Sequence, residues 1–383
     1  MKKLHFFTLL AIALIVTNGC KENKNEKNVK TLDVKKIEEK TSKVYKTELL
    51  VNLPEQFNSP ASGDVDADGN LYFTSPNLHN AALIKEGAMT IPAMPSIGKV
   101  DGNNQLSTWY TFKSEDLDKK SGVVVPFGFV FGPDGNAYVG DMQLWAGGTS
   151  RILRFVIENN NPVRVETVLM GTSFINGMVW KGNDLFITDT VLGETKDGKQ
   201  ISGVYKVNLL ELNADKPLQI KPFKSLDDYD THLFETFISN GSLKFGANGI
   251  AIDGEGSLYT GIMEEGTILK TTMDSDNNKI KTMPFAKGMI TNDGIKWDAK
   301  TNKLYSTDLF ANAVYSIDMD GNLHLIAENG DTDGQGGKLD APSEVVIRGN
   351  DVIVMNFDAV FNNPQMKNTK ADKPYTLSIF SLE

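Results

Sequence analysis

Apolar and polar positions alternate in short runs along this chain, and one arrangement of them occurs six times. The copies are Ser62–Ser75 (SGDVDADGNLYFTS), Phe127–Asp141 (FGFVFGPDGNAYVGD), Asn176–Asp189 (NGMVWKGNDLFITD), Asn248–Gly261 (NGIAIDGEGSLYTG), Asp293–Asp308 (DGIKWDAKTNKLYSTD) and Ser343–Asn356 (SEVVIRGNDVIVMN). Each opens on one residue followed, in five copies, by glycine. An alternating apolar run, a polar turn and a second apolar run come next, which is the pattern of two strands around a tight hairpin.

A lone hairpin leaves one apolar face wet and is marginal in water. Six copies bury that face against one another, so the repeat predicts the fold. Three of the five intervals between copies are 45 to 50 residues, the length of a four-stranded propeller blade. The two longer intervals predict insertions in the first and third blades. The expected fold is therefore all-β: a six-bladed β-propeller over residues 44–383. Outer strands are expected at Ser107–Phe112, Arg151–Ile157, Val163–Met170, Gly203–Val207, Phe234–Ile238, Thr267–Thr271, Lys279–Pro284, Ala313–Asp318 and Leu323–Ala327. The segments 75–97, 209–229 and 358–373 read as excursions. After Asn356 only Tyr375–Leu382 reads as a strand, so the last blade is one short. Val44–Leu53, ahead of the first copy, is expected to complete it and close the ring.

Residues 1–19 stand outside this pattern. Lys2 and Lys3 precede an apolar run, Phe6–Val16, of the length of a signal-peptide core and too short to span a bilayer. Thr17-Asn18-Gly19-Cys20 follows and resembles a bacterial lipobox, with Thr17 where leucine is usual. Cys20 is the expected lipidation site, and the envelope, through this membrane anchor, the expected location. Residues 20–43 are rich in Lys, Glu and Asn, bury little, and read as a tether. Cys20 is the single cysteine, so no internal disulfide and no cysteine metal cluster is possible. The net charge of −10 becomes more negative once Lys2 and Lys3 are removed, which argues against nucleic-acid binding.

In a propeller the innermost strand of each blade lines the central channel. The six opening residues should therefore meet at one end: Ser62, Phe127, Asn176, Asn248, Asp293 and Ser343. Two Asn, one Asp and two Ser make an oxygen-rich ring suited to a hard cation, with Phe127 as an apolar wall. Glycine in second position permits close backbone approach near the axis. The second strands return to the same end, so their last residues and following loops, among them Asp141, Trp145, Asp189, Glu264, Asp308 and Asn356, are expected to roof the site. His79, in the first excursion, is the histidine best placed for a base.

The hairpins at Asn176-Gly177, Asn248-Gly249 and Asp293-Gly294 resemble those of the senescence-marker-protein/gluconolactonase family, related to paraoxonase and diisopropyl-fluorophosphatase. The resemblance covers Val44 to the C-terminus. It implies a six-bladed propeller that binds Ca²⁺ or another divalent cation at the channel mouth and hydrolyses lactones or related esters. It implies Asn176, Asn248 and Asp293 as cation-binding residues. The family's first-blade Glu falls on Ser62, which removes one formal negative charge, and Asp308 is the expected compensation. Asp308 or His79 is the expected general base toward water, while Ser62, Phe127, Trp145, Ser343 and Asn356 are expected around a small-molecule substrate. The rival expectation is a non-catalytic propeller that binds a carbohydrate or protein ligand. Asp64-Val65-Asp66-Ala67-Asp68-Gly69 opens like a calcium loop but has Ser75 at its twelfth position. Gly-x-Ser-x-Gly, His-Glu-x-x-His and phosphate-loop motifs are all absent from the sequence.

Overall fold

The computed structural model describes residues 43–382. The expected signal segment, the lipidation site Cys20 and most of the expected tether lie outside the described residues. Among the described residues no helix is long and apolar enough to cross a membrane.

Six antiparallel sheets follow one another along the chain. Blade 1 is Gly63–Val65, Leu71–Ser75, Ser96–Val100 and Leu106–Thr111. Blade 2 is Pro126–Phe131, Ala137–Asp141, Ser150–Glu158 and Asn161–Thr172. Blade 3 is Ile175–Lys181, Asp184–Glu194, Gln200–Asn208 and Leu233–Ser239. Blade 4 is Ala247–Ile252, Leu258–Ile262, Thr267–Met273 and Lys279–Lys287. Blade 5 is Ile295–Asp298, Lys303–Asp308, Ala313–Ile317 and Leu323–Glu328. Blade 6 is Pro342–Arg348, Asp351–Asn356 and Tyr375–Ser381, with Glu48–Leu53 paired to the last of these. The protein is thus a six-bladed propeller whose chain ends share one blade, as the repeat predicts. Pairing Glu48–Leu53 with Tyr375–Ser381 covers the strand edge that an open ring would leave exposed.

Two features escape the hairpin pattern. Ser96–Val100, the third strand of blade 1, begins within the stretch expected to be an excursion. Its Gly98 is required because a Cβ there would stand 2.2 Å from the ring of Phe73. In the blade 3 excursion, Leu218–Gln219 adds a fifth, parallel strand to blade 2 beside Leu169 and Met170. The short helix Asn80–Lys85 sits in the blade 1 excursion.

Each blade packs its alternating apolar residues against the next. Tyr138 and Ile152 of blade 2 share a buried cluster with Met178 and Leu185 of blade 3. Tyr259 and Ile268 of blade 4 share another with Ile295 and Leu304 of blade 5. Across the closure, Leu71 and Phe73 of blade 1 pack on Ile353 and Leu377 of blade 6. The period-2 pattern of each hairpin thus becomes the interface between blades.

Candidate functional site at the channel mouth

The opening residues owe their positions to a repeated local distortion. In blades 2, 3 and 4 the register of first to second strand slips at the opener: Ile175 faces Asp189, yet the next partners are Met178 and Ile187. Two residues oppose one, so the strand bulges and its polar side chain is re-aimed. The glycine that follows is fixed by crowding. A Cβ on Gly128 would lie 2.2 Å from the carbonyl oxygen of Asn176, on Gly177 2.6 Å from that of Asn248, and on Gly249 2.1 Å from that of Asp293. Each opener's backbone therefore presses on the preceding blade. Threonines of alternate blades fasten these contacts, the Thr74, Thr188 and Thr307 hydroxyls donating to the carbonyls of Phe127 (2.6 Å), Asn248 (2.7 Å) and Ser343 (3.0 Å).

Five of the six openers, Phe127, Asn176, Asn248, Asp293 and Ser343, line a single cavity. Ser62 does not; its neighbour Ala61 takes its place in the wall. The remaining wall is aromatic. Trp145 stands edge-on to Phe174 (centroids 5.1 Å) and to Phe127 (6.0 Å). Phe127 meets Phe357 at 5.9 Å, and Phe245 meets Phe361 at 5.9 Å. Such edge-to-face pairs hold the rings in place as well as burying area. The collar is drawn from loops of blades 2, 3 and 6 and is itself part of a buried apolar cluster.

Two buried acids stand at and behind the polar floor. Asp293 is buried, and burial together with the nearby Glu344 carboxylate raises it well above the ordinary carboxylate range, while the Asn248 side chain hydrogen-bonds to it. Glu344, behind the lining, is buried as well, and desolvation pushes it up to about 7 against the opposing pull of Lys296. Its Oε2 accepts from Ser62 Oγ at 3.2 Å, and its Oε1 accepts from the Val345 N–H at 3.1 Å and fills the space in front of Gly294, where a Cβ would approach to 2.2 Å. Glu344 was not among the expected site residues. Its signal was in plain view: it is the second residue of the sixth copy, where the other five have glycine. The charge missing at Ser62 is thus matched by an acid one blade away, held by the Ser62 hydroxyl. Asn176, half-buried on the wall, makes no side-chain hydrogen bond within the described residues and presents its amide to the cavity.

Several expected residues serve the scaffold instead. Asp308 does not line the cavity. Its carboxylate accepts from the backbone N–H groups of Ile290 (2.6 Å), Thr291 (3.0 Å) and Ala311 (2.9 Å) and from the Thr291 hydroxyl (3.0 Å), which anchors the loop entering blade 5. Asp189 and Asp141 do the same for blades 3 and 2, and neither Asp308's position nor its saturated oxygens suit a base. Asn356 is likewise internal: its amide oxygen accepts from the Asp340 N–H, and its nitrogen donates to Thr376 and Ser378. His79 is half-buried away from the lining, its ring tilted against that of Tyr375 and its Nδ1 3.7 Å from Asp358. Burial pushes it down to about 4, leaving it neutral and weakly basic at pH 7. Ser343 lines the cavity, but its hydroxyl donates to the Ala61 carbonyl (2.8 Å). Among the described residues no group of three or more His, Cys, Asp or Glu side chains is arranged to hold a metal ion.

A six-bladed propeller with a polar floor and an apolar collar at one end of its channel is the class that fold and cavity define. No protein-family model matches the chain. No curated protein matches it either. Solved structures do. A luciferin-regenerating enzyme is 10% identical, with a TM-score of 0.56, the match covering 88% of this chain and 96% of that one. A regucalcin from Agrobacterium tumefaciens, described as a calcium-binding protein, is 12% identical with a TM-score of 0.53, covering 89% of this chain and 95% of the other. A putative gluconolactonase is 12% identical with a TM-score of 0.50, over 88% and 92%. At these identities the likeness is one of fold, and the chemistry has to be argued from the site.

Proposed function

We propose that the protein is a divalent-cation-dependent hydrolase of lactones or related esters, working at the channel mouth and held at a bacterial envelope through Cys20. The observation that carries this reading is the buried pair Asp293 and Glu344 beside the amides of Asn176 and Asn248. Two carboxylates close enough to repel and out of water, with Lys296 acting on Glu344 but no salt bridge to either among the described residues, are costly alone and favourable around a hard cation. The donor set fits: all-oxygen, drawn from blades 3, 4, 5 and 6, with a charge suited to Ca²⁺. Asp293, Glu344, Asn176 and Asn248 would hold it. Once bound, such an ion would supply Lewis-acid polarisation of the ester carbonyl and a more acidic water. The chain's own part is orientation and exclusion. Asn176 donates to the carbonyl oxygen of the substrate, the collar excludes bulk water, and the carboxylate pair takes the proton of the attacking water.

The test is turnover of a lactone and aryl-ester panel by the full chain, with and without chelator, beside Asp293→Asn. Loss of at least 10²-fold in kcat on both treatments is expected, and activity that survives both overturns the reading. The absence of a three-acid cluster among the described residues favours a second reading, a propeller that binds the same ligands without turning them over. Tight binding with no turnover across the panel would establish it.

A further inference from the structure

We infer that the cavity selects an ester or lactone bearing an apolar, ring-sized group and rejects a polyhydroxylated one; this rests on the hydrolase reading above. The argument is an inventory of polar groups. Six lining residues carry side chains able to hydrogen-bond, and three of them already spend their donors within the protein. Thr190 Oγ1 donates to the Ala247 carbonyl at 2.6 Å. Ser343 Oγ donates to the Ala61 carbonyl at 2.8 Å. The Asn248 amide nitrogen is engaged by Met263 Sδ at 3.2 Å and by Asp293. The donors left are the amide nitrogen of Asn176 and, at the rim, the indole N–H of Trp145, enough to orient one ester group, whose oxygens only accept. A sugar lactone brings several further hydroxyls, each of which would leave water for a wall of Phe and Trp. A buried hydroxyl without a partner costs on the order of the whole selectivity between two substrates.

The collar supplies the positive half of the argument. Phe127, Phe174, Phe245, Phe357, Phe361 and Trp145 all line the same cavity. Trp145 is 52% exposed at its rim, edge-on to Phe127 and Phe174, an outward position that suits a lid over an apolar ligand.

The experiment compares two six-membered lactones on the full chain with calcium present: 3,4-dihydrocoumarin, which carries a fused benzene ring, and glucono-δ-lactone. Binding is read from intrinsic tryptophan fluorescence and from displacement calorimetry, turnover from proton release. The expected result is a kcat/KM at least tenfold higher for the aryl lactone. Trp145→Ala should raise KM about tenfold for the aryl lactone and leave any response to glucono-δ-lactone unchanged. If the aryl lactone binds at least tenfold more tightly but neither is hydrolysed, the selectivity stands and the hydrolase reading falls. If both are hydrolysed and the sugar lactone is as good or better, the selectivity is overturned while the hydrolase reading stands. If neither binds, the inference is overturned. The rim position of Trp145 makes its variant safe for folding, and Phe361→Asn on a separate loop provides an independent check with the same expected direction.

Discussion

Glu344→Gln should stabilise the cation-free protein and weaken its hold on calcium, two effects of opposite sign from one atom pair. Glutamine keeps the shape of the side chain and the acceptor for Ser62. It deletes one of the two buried charges at the floor. Desolvation lifts Glu344 from 4.5 to about 7, a displacement worth ~3 kcal/mol at about 1.4 kcal/mol per unit. The sign follows from linkage. Between these two values the folded protein keeps a proton that the unfolded chain has released, so stability falls as pH rises through that window. Above pH 7 the whole cost is present. In chelator at pH 8 the variant should therefore unfold at a higher temperature than the parent, by roughly 4 °C for a domain of this size. At pH 5 the two should nearly coincide. Calcium should reverse the order. Removing one of two carboxylates from an ion site costs on the order of 3 kcal/mol at an effective dielectric of about 20, or about 10²-fold in affinity. Thermal unfolding at both pH values and calorimetric calcium titration measure both halves. A variant that is less stable than the parent in chelator at pH 8, or that gains as much from calcium, refutes the reasoning.

Asp308→Ala should cost ~3–5 kcal/mol in urea unfolding, because three backbone N–H groups lose their internal acceptor; turnover per folded molecule should be unchanged, whereas a base would take activity with it. Gly249→Ala drives a Cβ to 2.1 Å from the Asp293 carbonyl and 2.8 Å from Ile295, so it should cost more than ~2 kcal/mol by forcing blades 4 and 5 apart; an unchanged denaturation midpoint would contradict the packing described. Asp358→Asn should flatten the alkaline side of the stability profile. Burial, then Asp340 and Asp372, raise Asp358 to about 9, so the parent should lose stability as pH climbs towards 9, and the variant should not. Its left-handed backbone (φ 56) suits asparagine equally well, and unfolding midpoints from pH 6 to 10 would show the difference.

Blade number, ring closure and nearly every outer strand were legible because they depend on periodicity alone, and a period-2 pattern repeated six times leaves few ways to bury its apolar face. The site was legible in its openers for the same reason: a residue at a fixed place in a repeat has a fixed place in the ring. What the pattern concealed was the use of each acid. Asp141, Asp189 and Asp308 end second strands and read as channel groups, but a carboxylate at a strand end next to a tight loop finds unpaired N–H groups before it finds a ligand. Glu264 behaves alike, accepting from Ser239 and from the N–H groups of Gly241, Leu243 and Lys244. Glu344 lies one residue past the opener, inside the bulge, where a single backbone N–H, that of Val345, reaches it. Local backbone supply of donors, which no single-sequence pattern displays, decided how fully each acid was absorbed by the scaffold.

The placement of Glu344 ties the chemistry to the way the ring is closed. It belongs to blade 6, the blade completed by a strand from the other end of the chain, and it is held by a hydroxyl from blade 1. Ser343, beside it, reaches across the same seam to the Ala61 carbonyl. The second negative charge at the floor is therefore assembled only when the first and last blades meet. Blade 5 contributes Asp293, and Gly294 leaves the room into which the Glu344 carboxylate projects. Had the acid stood on blade 1, the seam would have been a purely structural contact. With the acid on blade 6 and its hydrogen-bond donor on blade 1, the orientation of the Glu344 carboxylate depends on the joint between the first and last blades.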